Sequence, residues 1–238
     1  MKKYCTAILL LTIISLLSGC LYPRERLQEN QVPYQDQLNA VQTAVNAYKE
    51  ENGGLLPIKT RDMDTPLYQK YPIEFSKLSP RYMQEPPGNA FESGGVYQYV
   101  LVDVETNPTV KLLDLRIADK IRDVKLKIRM YRDEHQYPPF KQVIADGVYT
   151  LDYKKLGYKE DPYVESPYSG KNLPLVIDAQ GEVFVDYSAD LYAVLNKGTN
   201  GVKQGEDIRY LLLKDSPFVP AYSLPYTIKD KEPTFLVQ

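Results

Sequence analysis

The sequence predicts an α+β protein: a helix packed on an antiparallel sheet, made twice in tandem, behind a lipoprotein signal peptide and a short tether. Three observations lead there. Apolar residues recur at helical spacing in two separate stretches. Each stretch is followed by a connection dense in proline and tyrosine and then by a run with strand character. The two series also align with each other, the mark of an internal repeat.

The chain opens MKKYCTAILLLTIISLLSGC. Lys2 and Lys3 give a positive start, and Ala7 to Leu17 give an apolar run shorter than the roughly 20 residues that span a bilayer. Leu17-Ser18-Gly19-Cys20 then sets small residues directly before a cysteine, the lipobox pattern. Ser18 and Gly19 admit the backbone to a membrane-embedded peptidase, and the Cys20 thiol takes a diacylglyceryl group by thioether before it becomes the new N-terminus. Residues 1–19 are thus expected to be a removed signal peptide and residues 20–33 a lipidated tether, with Cys20 holding the protein at the membrane. The polar stretch 21–33 has no apolar period and, fully extended, reaches about 45 Å. Because Cys5 leaves with the signal and Cys20 is acylated, no disulfide is expected and burial must supply the stability. The net charge of −2 becomes more negative when Lys2 and Lys3 are removed, which speaks against nucleic acid as a partner.

Leu38, Val41, Val45 and Tyr48 form one stripe of a first helix, with Gln42, Asn46 and Lys49 on its polar side and Gly53-Gly54 as its stop. From Leu55 to Gly95, prolines keep regular structure short, and Tyr71 to Leu78 reads as a helical turn or a short strand. In VYQYVLVDV, residues 96–104, apolar and mixed positions alternate as in a strand. Ile117, Ile121, Val124, Ile128 and Tyr131 mark a second helix, opposite Asp119, Lys120, Arg122, Asp123, Lys125 and Arg129, with the 138–139 proline pair as its stop. Residues 175–178 and 182–186, joined through Ala179-Gln180-Gly181, have hairpin spacing. Ser188 to Leu195 reads as a short helix, and Ile208 to Leu213 as a strand before a proline-punctuated tail.

Tyr48-Lys49-Glu50-Glu51 aligns with Tyr131-Arg132-Asp133-Glu134, Leu78 with Leu156, and Leu101-Val102-Asp103 with Val176-Ile177-Asp178, at offsets that shrink along the chain. Deletions in loops explain the shrinkage. The expected organisation is a first repeat at 34–110, a second at 111–190, and a C-terminal extension at 191–238 packed on the second. An amphipathic helix ending in Y-K-x-x-x-G, then proline, L-x-x-x-Y and a Y-x-Y strand, resembles the soluble head of pilins and pseudopilins. That resemblance implies a helix-on-sheet fold but not filament assembly, since the chain lacks a prepilin peptidase site and a long apolar helix at its mature end. The chain as a whole, with LSGCLYP, VPYQDQLNAV and LSPRYMQEPPGNAFESGG, resembles an uncharacterised family of Gram-positive bacterial lipoproteins, some of them loosely labelled transporter binding proteins.

Catalytic patterns are missing from the sequence. His135 is the sole histidine, at a helix end beside Asp133 and Glu134, whereas zinc needs three or four N/S ligands, so no metal or cofactor is expected. There is no G-x-S-x-G elbow and no phosphate-cradling G-x-x-x-x-G-K-[ST]; Asp62, Asp64 and Glu74 lack the glycine of a calcium loop. Asp178 and Asp186 come nearest to paired carboxylates facing each other across a hairpin, a position where aspartates are ordinarily turn residues. The chain has 21 tyrosines and no tryptophan, and a tyrosine joins a flat apolar body to a polar tip, suited to sugars and partner proteins. Tyr158, Tyr163, Tyr168, Tyr222 and Tyr226 are the candidate partner-binding residues. The expectation is a non-enzymatic lipoprotein on the extracytoplasmic face of the cell membrane, binding an envelope protein or a cell-wall component. The alternative is the solute-binding lipoprotein of an ABC importer, which needs two βαβ lobes around a cleft rather than helices followed by antiparallel ribbons.

Overall fold

A computed structural model describes residues 34–198 and 201–236. The signal peptide, Cys20 and the tether lie outside the described residues. Helix α1, Tyr34–Glu51, buries Leu38, Val41, Ala44 and Val45 on the predicted stripe, and Gly54 closes it by donating its N–H to the Lys49 carbonyl at 2.8 Å. Gln42, expected among the polar residues, instead turns to the sheet: its Oε1 accepts the Val110 N–H at 2.8 Å and its Nε2 donates to the Pro108 carbonyl at 3.0 Å. After a helical turn at Phe75–Leu78 (α2), strands β1, Tyr97–Val102, and β2, Thr109–Asp114, form an antiparallel hairpin whose register pairs Tyr99 with Leu112. β2 escaped the sequence reading and runs across the position expected to divide the repeats.

Helix α3, Leu115–His135, buries Ile117, Ile121, Val124 and Ile128, as its period predicts. Its stop is not the proline pair but Gln136, which takes a left-handed conformation and donates to the Arg132 carbonyl at 2.7 Å. A five-stranded sheet follows: β3, Phe140–Ala145; β4, Val148–Leu151; β5, Tyr163–Glu165; β6, Asn172–Asp178; and β7, Val183–Val185. The β6–β7 hairpin stands where its spacing put it, and helix α4, Ser188–Leu195, begins and ends as read.

The two helix-plus-sheet units are copies in their pairing. In the second, the order runs β3, β4, β6, β7. The first holds the same order in reduced form: Ile58 bridges Ile73, Pro72 bridges Val100 on β1, and β1 pairs β2. Each hairpin then exits into a helix through an aspartate, Asp114 accepting the Arg116 N–H at 2.9 Å and Asp186 the Ser188 N–H at 2.8 Å.

The tail departs from the sequence reading. Ile208–Leu213 is a 3-10 helix, not a strand, because Asp207 caps it by accepting the Arg209 N–H, while Ile208, Leu211 and Leu212 enter the core beneath α3 and α4. The proline-punctuated stretch also contains a hairpin, β8, Tyr226–Lys229, with β9, Glu232–Phe235. Between these elements the extension leaves the second unit for the first. Leu112 of β2 donates to the Pro217 carbonyl at 2.8 Å and accepts from the Val219 N–H at 2.9 Å, and Val185 of β7 donates to the Tyr222 carbonyl at 2.8 Å. One segment, 217–222, therefore bonds the outer strand of both hairpins. Lys111 helps hold it, donating to the carbonyls of Leu213 and Ser216 at 2.7 and 2.6 Å.

Candidate binding cleft

The five tyrosines singled out in the sequence do not form one surface. Tyr163 on β5 is 49% exposed. Tyr158 donates to Asp123 Oδ2 at 2.6 Å and lies under the Lys127 ammonium, which ties its loop to α3. Tyr168 packs edge-on against Tyr187, and Tyr222 is half-buried at a positive φ of 55°. Tyr226 is fully buried, donating to Asp186 Oδ1 at 2.8 Å and accepting the Tyr187 N–H at 3.0 Å. Burial pushes the phenols of Tyr158, Tyr168, Tyr222 and Tyr226 up, and Tyr222 also lines a cleft on the β1–β2 hairpin.

Other sequence candidates resolve into structure as well. Asp178 and Asp186 sit at opposite ends of the β6–β7 hairpin and are not paired: Asp178 accepts the N–H groups of Gln180 and Glu182, and Asp186 accepts the Ser188 N–H and the Tyr226 hydroxyl. His135 is exposed and stacks on Tyr131 with ring centroids 4.0 Å apart. Among the described residues no cluster of histidine, cysteine and carboxylate side chains is placed to hold a metal ion.

The surface that remains open lies on the β1–β2 hairpin. Alternation sends Tyr97, Tyr99 and Leu101 towards α1, and Gln98, Val100 and Val102 to the opposite face. On that second face Tyr68, Val219 and Ala221 cover the middle and leave a cleft at either end. At one end, a cleft of about 500 Å³ has Arg61, Arg116 and Arg122 in its wall. Arg116 forks onto its own cap Asp114, with Nη2 2.6 Å from Oδ2, and Arg122 pairs with Asp119 at 2.7 Å.

At the other end, a cleft of about 410 Å³ is walled by the rings of Tyr68, Tyr71 and Tyr210, the apolar Leu67, Val102, Val104 and Leu213, and the carboxylates of Asp103, Glu105 and Asp207. Its size falls within the roughly 300–1,000 Å³ of small-molecule sites, as does its make-up of apolar walls with a few polar groups. Local sequence explains the construction. Asp207 caps the 3-10 helix and takes Arg209 in a fork, Nη2 to Oδ2 at 2.7 Å, the same Asp-x-Arg device that starts α3. Arg209 is thereby fixed over the Tyr68 ring, 5.1 Å from its centroid. Tyr68 is only 6% exposed, yet among the described residues its hydroxyl has no hydrogen-bond partner. Burial drives its phenol well above the ordinary range, with nearby Arg209 opposing and Asp207 and Asp103 adding to the rise. The exposed side chains of Asp103 and Glu105 make no hydrogen bond or ion pair among the described residues, while the Asp103 main-chain carbonyl accepts the N–H groups of Thr106 and Asn107, so the two carboxylates face solvent at the rim. Sequence reasoning missed this cleft because Tyr68 and Tyr210 lie far apart in the chain; the Asp-x-Arg pair at 207–209 was the one local signal.

Four contributors to the cleft, Tyr68, Tyr71, Asp103 and Glu105, lie in a stretch with a recognisable pattern. Residues 34–114 match the YphF family N-terminal domain. That match is in keeping with the expected kinship to an uncharacterised bacterial family. The matched residues run from α1 to the end of β2 and stop at Asp114, so Asp207 and Tyr210 reach the cleft from outside the matched stretch. No curated protein and no solved structure matches the chain. Among the described residues, no helix is long and apolar enough to cross a membrane.

Proposed function

We propose that this protein is a non-enzymatic lipoprotein of the extracytoplasmic face of the cell membrane, anchored through a lipid on Cys20 and engaging a protein or cell-wall partner. The lipobox at Leu17-Ser18-Gly19-Cys20 supports the address and the anchor. The tyrosine cleft supports the binding role and is the observation that carries it: the Tyr68 hydroxyl and the Asp103 and Glu105 carboxylates make no side-chain hydrogen bond among the described residues, at a site already walled by apolar side chains. Two or more acyl chains, at about 0.8 kcal/mol for each buried methylene, give stable anchoring where one chain does not.

The test is made on cells producing the full chain. Wild-type protein is expected in the detergent phase, with an N-terminus at Cys20 and the mass of its acyl chains. Cys20→Ser is expected to lose that anchor or to keep its signal. Photo-crosslinking from Leu67, at the rim of the cleft, is expected to capture an envelope partner. A mature N-terminus elsewhere, or a mature chain without acyl mass, refutes the reading.

A further inference from the structure

The chemistry around the tyrosine cleft selects its ligand by elimination. An anion is opposed by the carboxylates of Asp103, Glu105 and Asp207, all in the lining. A cation is opposed as well, because each ring already has its own basic group. Arg209 stands 5.1 Å from the centre of Tyr68, Lys214 5.6 Å from that of Tyr210 and Lys70 5.9 Å from that of Tyr71. Aromatic faces and charged groups of both signs remain compatible with a ligand that has no charge, an apolar face and many hydroxyls. A pyranose has that form. Its C–H face suits the electron-rich face of a tyrosine ring, and its hydroxyls donate to carboxylates while accepting from ammonium groups and phenols.

We infer that this cleft binds one or two neutral sugar residues of a glycan, with the rings of Tyr71 and Tyr210 as the stacking surface, Asp103 and Glu105 as hydroxyl acceptors, and the Tyr68 hydroxyl as a further hydrogen-bond partner. The inference deepens the envelope reading above by naming the chemistry of the partner. Three observations support it independently of that reading: a cleft of about 410 Å³, a largely buried Tyr68 whose hydroxyl makes no hydrogen bond among the described residues, and two exposed rim carboxylates without a side-chain hydrogen bond or ion pair. The arginine cleft at the opposite end of the sheet supports no comparable inference, since two of its three guanidinium groups are spent on Asp114 and Asp119.

The experiment uses the full-length protein purified in detergent and titrated calorimetrically with two probes, a tetrasaccharide of β-1,4-linked N-acetylglucosamine and maltotetraose, alongside inorganic phosphate and choline as charged controls. Binding of at least one tetrasaccharide and neither control is expected. Asp103→Asn and Glu105→Gln, which keep shape and lie at the exposed rim, are each expected to weaken that binding by about tenfold, the scale of one charge-assisted hydrogen bond, with unchanged melting. Tyr210→Ala is expected to weaken it further, and Tyr163→Ser, at a distant exposed ring, to leave it alone. Silence with both tetrasaccharides, preference for phosphate or choline, or binding that ignores both rim substitutions overturns the inference. None of these outcomes touches acylation at Cys20, so the two readings fail separately.

Discussion

Gly95 lies in the loop before β1, and a β-carbon placed there would stand 2.1 Å from both the carbonyl carbon and oxygen of Asn89 and 2.6 Å from its Cα. Non-bonded carbon atoms rest at about 3.5–4.0 Å, so Gly95→Ala requires backbone to retreat by more than an ångström. That backbone is held in place. Gly95 donates to the Ala90 carbonyl at 2.8 Å, Tyr97 donates to the Asn89 carbonyl at 3.2 Å, and the Tyr99 hydroxyl donates to Asn89 Oδ1 at 2.8 Å. Overpacking a tight site costs about 1–3 kcal/mol, and loosening these bonds adds about 1 kcal/mol, so a loss of about 3 kcal/mol is expected. For a body of this size that lowers Tm by about 6–12 °C. Gly88→Ala is the matched control, because its β-carbon would meet nothing within 4 Å. Urea unfolding followed by far-ultraviolet circular dichroism, with midpoints compared at equal slope, measures both. If Gly95→Ala unfolds with Gly88→Ala and the wild type, the close approach of the two backbone segments is refuted.

Two further outcomes follow from burial. Ile121→Asp places a charge on the buried face of α3 and is expected to destabilise by about 3 kcal/mol or more, whereas Lys120→Asp, on the exposed side, is expected to change stability by no more than about 0.5 kcal/mol; equal melting temperatures would refute the helix face. Burial pushes the Tyr99 phenol up to about 12 and raises Tyr153 and Tyr187 too, while a phenol of the unfolded chain ionises near 10. The unfolded state then releases protons that the folded state keeps, so stability is level below about pH 10 and falls from there through about pH 12. Phenolate absorbance of these buried rings is expected to rise together with loss of circular dichroism in an alkaline titration, and a complete rise before unfolding would contradict their burial.

What was legible in the sequence was what has a period. The stripes of α1 and α3 put their own residues into the core, and the spacing around Ala179-Gln180-Gly181 gave the β6–β7 hairpin. Short apolar runs were ambiguous, as Ile208–Leu213 shows: six residues of strand-like composition become a 3-10 helix once Asp207 caps them. β2 was hidden because its apolar residues run directly into those of α3, and β3 because its exposed Phe140, Val143 and Ile144 show no alternation of burial. The tyrosines were hard to sort for a different reason. Composition cannot separate a ring that lines a cleft, such as Tyr210, from one that fills a core, such as Tyr226, since the difference is made by segments distant in sequence.

The segment that bonds to both β2 and β7 sets the order in which the molecule can be completed. Strand β2 is made early, but the partner for its outer edge, Pro217–Val219, arrives more than a hundred residues later, and β7 waits likewise for Tyr222. Until that segment is made, the outer edge of β2 lacks its backbone partner, the kind of template that invites pairing with another chain. One short segment, 217–222, supplies the backbone partners of both edges. A chain truncated before Pro217 would leave the outer edges of β2 and β7 without these backbone partners and exposed to another chain.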